Sequence, residues 1–233
     1  MILSEDYKNR LKFLAFSNAN ENHNSMLQEG RYDKLTGDLT DIIWGFIRNA
    51  KRDDESEVEY QYPIKLKEAD IDLNVIIKRE SDIDYHMAVD GSQLNNEIDI
   101  YLHLNKDTEP IYYTKLNAKI QDTVRHELEH LFQTPGTVNY KRNRPTPTKP
   151  TYRKQLKDKR ITYRYFTLRD ETPSMVVGMY RQAKIEKRSL NDVLKEYLGY
   201  FLTSGDITQK QHDKILRIWL DYAKHNLPRA KYS

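Results

Sequence analysis

The residues of this chain best suited to chemistry lie in the sequence His126-Glu127-Leu128-Glu129-His130. In a helix, residues four positions apart lie one turn apart on the same side, so the two histidines can bind one metal ion. Zinc is the metal that this H-E-x-x-H pattern typically binds, and the glutamate beside the pair can take a proton from an attacking water. The pattern therefore predicts a zinc site with a general base next to it.

The motif lies within residues 114–133, a segment with the periodicity of a helix. Pro135 and Gly136 end the pattern. Apolar residues recur at spacings of four and three, which predicts a stripe that packs on a core: Leu116, Ile120, Val124, Leu128 and Leu131. The histidines lie well away from this stripe. The alternative interpretation is a pair of surface histidines on a charged helix.

Composition limits the kind of site that the chain can build. Charged residues make up 31% of the 233 residues and hydrophobic residues 38%, and no run approaches the roughly 18 apolar residues of a membrane helix. There are no cysteines, so a metal must be held by histidine and carboxylate. Residues 1–6 turn acidic at once and do not read as a secretory signal. We expect a cytoplasmic protein.

The net charge of +3 is unevenly distributed along the chain. Residues 134–169 contain 11 Lys and Arg against one acid, Asp158, and also hold Pro145, Pro147 and Pro150. The prolines exclude regular helix from the first half, and the like charges favour a mobile basic loop. We expect a lid or substrate-selecting loop that favours acidic partners. Nucleic-acid binding is the alternative, although the tyrosines of the segment are too scattered for a stacking platform.

Helices are predicted at the start of the chain. One is expected to follow Ser4, and an asparagine-rich loop covers residues 17–25. A second helix is expected to start near Asp38 or Thr40 and to continue through Ile47.

A change to alternating periodicity then predicts strands at residues 71–77, 83–89 and 98–104. The last two are expected to form a hairpin across residues 91–96, within a small, mainly antiparallel sheet. A further short strand is predicted after the motif, at residues 161–168.

The sequence pattern of residues 170–233 predicts helices. Asp170 is a possible N-cap, with Pro173 tolerated in the first turn. Ser189 resembles the start of a capping box for the next helix, Gly205 follows its end, and the last helix ends before Pro228. We expect one catalytic domain built from residues 1–133, the basic loop 134–169 and a helical part 170–233.

This order of helices, sheet, motif helix and helical half resembles that of zincin metallopeptidases, in which the edge strand lies beside the metal helix and can pair with an extended substrate. The chain also resembles small zincin-like proteins of tailed bacteriophages, in which a Glu-x-Pro-small segment and a Tyr-x-x-Ala-Lys helix follow the motif. The corresponding residues are Glu171-Thr172-Pro173-Ser174 and Tyr180-Arg181-Gln182-Ala183-Lys184. The resemblance implies an α+β, zincin-like fold and a zinc-dependent peptidase, in the cytoplasm of a bacterial host if it is phage-encoded.

A catalytic zinc needs a third protein ligand. The metzincin extension requires glycine at position 133 and histidine at 136, where this chain has Gln133 and Gly136. In the gluzincin branch the ligand is a glutamate from a later helix, and Glu171 is the first glutamate after the motif. The aspartate usual four positions further on is replaced by Met175. Asp170 is the nearest alternative ligand.

The resemblance implies hydrolysis of a peptide bond with Glu127 as the general base. A neutral donor usually stabilises the oxyanion, and Tyr101 or His103, on the polar face of the last strand before the motif helix, are candidates that can equally well face water. The other histidines are expected to be ordinary surface or core residues: His23, His86, His212 and His225.

A different class of function stays open. The motif helix can hold a structural metal, or the chain can be an inactive zincin that serves as a phage structural or host-protein-binding module. Glu127 separates these possibilities, because a structural site needs no base and tends to fill all four positions. The expected partner of an active enzyme is a protein or peptide, with a peptidoglycan cross-link as the alternative, and no membrane.

Overall fold

A mixed four-stranded sheet forms the first half of the fold. Its strands are β1 (Val58–Lys65), β2 (Asp70–Glu80), β3 (Met87–Leu94) and β4 (Glu97–Asn105), in the order β1-β2-β4-β3. The computed structural model describes residues 25–50, 57–65, 70–80, 87–94, 96–105, 113–133, 148–158, 161–227 and 229–232. The helix predicted after Ser4, most of the loop 17–25, and His23 and His86 lie outside these residues.

The sheet is mixed because β4 has a different relation to each neighbour. It pairs antiparallel with β3, from Met87↔Leu104 to Leu94↔Glu97, and parallel with β2, from Asp72↔Glu97 onward. The prediction of a mainly antiparallel sheet is therefore corrected to a mixed one. The hairpin of β3 and β4 is confirmed, but its turn is tighter than predicted, since Gly91 lies inside β3 opposite Ile100.

The strand β1 is not predicted by the sequence analysis. It pairs antiparallel with β2 at one edge of the sheet, and its side chains alternate between partly buried and exposed. Pro63 lies within it, which only an edge strand tolerates, because a proline cannot donate a ladder hydrogen bond.

Two helices pack on the sheet and bury the first hydrophobic core. Helix α1 (Ser25–Asn49) begins 13 residues before the predicted Asp38, and helix α2 (Tyr113–Gln133) matches the predicted motif helix within one residue. The predicted stripe of α2 is fully buried against the inner face of β2 and β4. Trp44 of α1 donates its indole N–H to Asn117 of α2 at 2.9 Å. The histidines are thus held on a helix that cannot rotate without breaking this core.

The rest of the described chain is helical and builds a second core. Its helices are α3 (Pro150–Asp158), α4 (Thr162–Phe166), α5 (Glu171–Glu186), α6 (Leu190–Thr203) and α7 (Gln209–Asn226). The strand predicted at residues 161–168 is wrong, because Tyr165 and Phe166 are neighbours that both enter this core from a helical turn. Trp219 is fully buried at its centre and donates to the carbonyl of Phe166 at 3.1 Å. The described part of the chain contains no helix suited to crossing a membrane.

Close packing of α5 on α2 joins the two cores. A Cβ atom on Gly178 would lie 2.2 Å from Oδ1 of Asp122, so only glycine allows this approach. One turn further along α5, Arg181 donates to Gln121 at 2.7 Å. The first residue of α5, Glu171, is in this way brought to the motif.

Candidate metal centre

The two motif histidines and Glu171 converge on one point. Nε2 of His126 lies 3.1 Å from Nε2 of His130, and Oε2 of Glu171 lies 3.3 Å from Nε2 of His130 and 3.6 Å from Nε2 of His126. His130 and Glu171 are buried, and His126 is partly exposed. The structure thus brings together the three residues that the sequence analysis predicted as ligands.

These three distances are those of ligands around one tetrahedral ion. With donor atoms roughly 2.0–2.1 Å from zinc, two ligands of a tetrahedron lie about 3.3 Å apart. The three donor atoms match one triangular face of that tetrahedron. No other group of histidine, aspartate and glutamate side chains among the described residues comes together in this way. Three protein donors are the number found in catalytic zinc sites, whereas structural sites have four.

The protonation of His126 also suits a metal. Burial, and next the charge of His130, lower the pKa of His126 to about 3. The imidazole is therefore neutral at neutral pH, which is the form that binds a metal ion.

His130 is oriented through its other ring nitrogen. Nδ1 lies 3.2 Å from Oε1 of Gln133 and 3.3 Å from Oγ of Ser174. Gln133 and Ser174 each donate to the carbonyl oxygen of Asp170 at 3.1 Å, so the oxygens that they present to His130 act as acceptors. Nη2 of Arg153 also lies 3.3 Å from Nδ1, and Nε2 is the nitrogen that faces Glu171 and His126. Gln133, where another branch would have glycine, thus helps to fix the orientation of the ring.

Glu171 is held by the basic segment as well as by the histidines. Nε of Arg153, in α3, lies 3.2 Å from Oε1 of Glu171, and the two form an ion pair without hydrogen-bond geometry. Burial acts to raise the pKa of Glu171. The hydrogen bond of His130 and the charges of His130, His126 and Arg153 outweigh it and lower this pKa to about 2. Glu171 is a carboxylate at neutral pH.

Asp170 is a partner of Arg153 rather than a ligand or a helix cap. It occupies the N-cap position of α5, but its side chain makes no capping hydrogen bond. Its carboxylate accepts from the backbone N–H and the hydroxyl of Thr148, both at 2.6 Å, and from the guanidinium of Arg153. The described part of the basic segment is therefore tied to the centre, and residues 150–158 form a helix where a loop was predicted.

Glu127 lies beside the three donors and has a different environment. Its carboxylate is 3.9 Å from Nε2 of His126, and the side chain is 7% exposed. Burial, followed by the charges of Glu171 and Asp90, raises the pKa of Glu127 to about 7, against the opposing charges of His130 and Lys157. The other motif glutamate, Glu129, is buried elsewhere and pairs with Arg125 at 3.1 Å. Of the two motif glutamates, Glu127 is therefore the one placed to exchange protons.

A pocket of about 640 Å³ opens beside Glu127, between the two cores. Its lining includes Tyr165 of α4, which is 8% exposed. Burial and the charges of Glu171 and Glu127 raise the pKa of Tyr165 well above its ordinary value, so its hydroxyl stays protonated and can donate. The sequence analysis missed Tyr165 because only the packing of α4 on the second core brings it here.

Tyr101 and His103 are not brought to this pocket. Both lie on the face of β4 opposite its buried residues, and neither lines the pocket. The structure therefore gives no support to their proposed roles at the oxyanion. His212 contacts Asp213, and His225 contacts the carbonyl of Asp221; both pairs lie on the surface of α7.

Comparison of the chain with protein-family models, with curated proteins and with solved structures finds no significant match.

Proposed function

We propose that the chain is a zinc-dependent peptidase of the zincin type. The observation that carries the proposal is the convergence of His126, His130 and Glu171 with the spacing of three ligands around one ion, with the carboxylate of Glu127 alongside. Nitrogen and carboxylate donors in a three-ligand site suit zinc. A structural metal site is disfavoured, because it would need a fourth donor and would have no use for Glu127.

A zinc ion bound by the three ligands supplies a Lewis acid that polarises the scissile carbonyl and activates the attacking water. The other steps belong to the chain's own residues. Glu127 accepts at its carboxylate the proton that the attacking water loses, and returns it to the nitrogen of the leaving amine. The hydroxyl of Tyr165 belongs to the lining of the same pocket as Glu127 and is suited to stabilising the oxyanion. Gln133, Ser174 and Arg153 hold the ligands in place.

The substrate is proposed to bind along β3. This strand pairs with β4 on one side, and no described strand pairs with its other edge, to which an extended chain can add. Val89, Asp90 and Gly91 of β3 line the pocket next to Glu127. An extended peptide added at this edge would pass the metal centre, which favours a peptide over other hydrolysable substrates.

The proposal is tested by metal content and by proteolysis together. The purified protein is expected to hold one zinc per chain by mass spectrometry, and His126→Ala is expected to lose it. The exposed His225 provides the control, since His225→Ala should keep the metal. Glu127→Gln should also keep the metal but cleave labelled casein roughly 10²–10⁴-fold more slowly, because the amide cannot accept the proton.

The matched control for charge is Glu97→Gln, which removes an exposed carboxylate of β4 that does not line the pocket. Retention of zinc in His126→Ala at the wild-type level would refute the metal centre. Zinc bound without cleavage of casein, of a mixed peptide library or of peptidoglycan would refute the enzyme and leave the metal centre intact.

A further inference from the structure

The pocket beside the metal centre has an acidic lining. Among the described lining residues, four carry carboxylates, namely Asp90, Asp122, Glu127 and Asp206, and one, Lys157, is a lysine or arginine. His126 also lines it, in its neutral form. The lining therefore carries a net negative charge at neutral pH, in contrast to the basic segment that borders it.

Asp122 is the carboxylate of this pocket that packs against α5. It lies on α2 one turn before His126, and its Oδ1 is pressed against the backbone of α5 at Gly178. Its carboxylate has no hydrogen bond or ion pair with a described residue. Burial, and the charges of Glu186 and Glu127 against that of Lys119, raise the pKa of Asp122 to about 7. The positive charge around Asp122 is therefore too small to hold its pKa at the ordinary value of a carboxyl group.

Glu127 adds a second carboxylate without a donor. Its side chain is more than nine-tenths buried, lines the pocket and accepts no hydrogen bond from a described residue. The carboxylate of Asp122, which is partly exposed and is repelled by that of Glu127, is stabilised by a cation and destabilised further by an anion.

The walls of the pocket are suited to the stem of a long side chain. Met175 and Met179 of α5 line it together with the buried rings of Tyr165 and Phe166. The ammonium of Lys157 already lies 5.3 Å from the centre of the Tyr165 ring, so a primary ammonium fits against this wall. The chain's own lysine thus shows the kind of group that the pocket accepts.

We propose that this pocket receives a lysine or arginine side chain of the substrate, with Asp122 as the residue that selects it. The aliphatic stem lies along the methionines and aromatic rings, and the charged end lies against Asp122, which leaves Glu127 to exchange the proton of the attacking water. An acidic side chain is repelled, and an apolar one leaves the carboxylates without a cation. This specificity rests on the proposed peptidase function. The acidic partner expected from the basic segment is a separate prediction, which concerns the surface around the pocket.

The test measures binding of a lysine side-chain analogue, so it does not need hydrolysis. The protein is labelled with ¹³C at its methionine methyl groups and titrated with n-butylammonium, n-butanol and n-butyrate at equal ionic strength. The signals of Met175 and Met179 should shift with n-butylammonium, much less with n-butanol and not with n-butyrate. Equal or stronger shifts with n-butyrate would overturn the proposal.

Two variants locate the binding at the proposed residues. Asp122→Asn should weaken n-butylammonium binding roughly tenfold, the effect of losing one charged hydrogen-bond partner. Asp221→Asn, which removes an exposed carboxylate of α7, should leave it unchanged. Lys157→Gln removes the chain's own ammonium at an exposed position and should tighten binding. If Asp122→Asn binds n-butylammonium as tightly as the wild type, the proposal is refuted. If Asp122→Asn does not fold, the proposal is refuted when Lys157→Gln binds n-butylammonium no more tightly than the wild type.

Failure of the peptidase function and failure of the proposed specificity give different results. If n-butylammonium binds as expected but the protein holds no zinc and cleaves nothing, the pocket is a cation site and the peptidase is refuted. If the protein cleaves peptides without enrichment of lysine or arginine beside the cut bond, the peptidase stands and the specificity is refuted.

Discussion

At the scale of single residues, Arg153 changes the interpretation of the basic segment. It was expected in a mobile loop, yet it lies between Asp170 and Glu171 and contacts the oxygen of Glu171 that faces away from the histidines. With Oε1 held in this way, Oε2 is the oxygen directed at the metal position. We therefore assign Arg153 a positioning role.

Replacement of Arg153 should weaken metal binding. Arg153→Gln is expected to lower zinc affinity roughly 10–100-fold, the usual effect of removing a partner that orients a ligand. Arg153→Lys, which keeps the charge next to Asp170 but not the planar guanidinium, should fall between this variant and the wild type. Affinity is measured by competition with a chromophoric chelator. Arg164→Gln, at an exposed position of α4, is the control, and equal affinity in all four proteins would exclude the positioning role.

At the scale of elements, the approach of β3 to α2 sets the position of Glu127. A Cβ atom on Gly91 would lie 2.6 Å from Cγ2 of Thr123 and 2.9 Å from Cγ and Oε1 of Glu127. These distances are shorter than any ordinary contact, so a larger residue must push the strand or the glutamate aside.

Gly91→Ala is therefore expected to impair catalysis more than metal binding. Cleavage of labelled casein should fall at least roughly tenfold, since displacements of about 1 Å at a catalytic group have effects of this order or larger. Zinc content should stay at one per chain. Gly45→Ala, where a new Cβ meets nothing within 4 Å, is the matched control and should keep full activity. Full activity in Gly91→Ala would mean that Glu127 tolerates the displacement or is not the base.

Sequence patterns were sufficient for the elements whose signals are local. The period of α2 and the i, i+4 spacing of His126 and His130 are properties of one helix, and Glu171 was found as the first glutamate after the motif. Arg153 and Tyr165 were missed because only packing between separate elements brings them to the centre. The strand β1 was missed although its alternation of Val58, Tyr60, Tyr62 and Ile64 is readable; Pro63 within it weakens the strand signal.

Two further errors have separate physical origins. The early start of α1 was missed because Gly30 and Gly37 weaken the helical signal of its first half, although Tyr32 already lies in the first core. The parallel pairing of β2 with β4 is not readable from alternation, since a strand pattern shows which side is buried but not which neighbour it pairs with.

At the scale of the whole molecule, the metal centre lies where the two hydrophobic cores meet. His126 and His130 belong to α2, which is packed on the sheet, and Glu171 belongs to α5, which is packed in the helical core. A metal bound to all three residues would therefore link the two halves of the molecule as well as serve the reaction.

Zinc is accordingly expected to stabilise the entire fold. A ligand that binds only the folded state adds about 2.7 kcal/mol when its free concentration is 100 times Kd. For a chain of this length, that corresponds to a rise in Tm of roughly 5–11 °C. Calorimetry with zinc and with excess chelator measures the difference. Glu127→Gln should show the full rise and His126→Ala almost none, because only the histidine holds the metal. If removal of zinc lowers Tm equally in the wild type and in His126→Ala, the stabilising ion is bound at another place and the three residues do not link the cores.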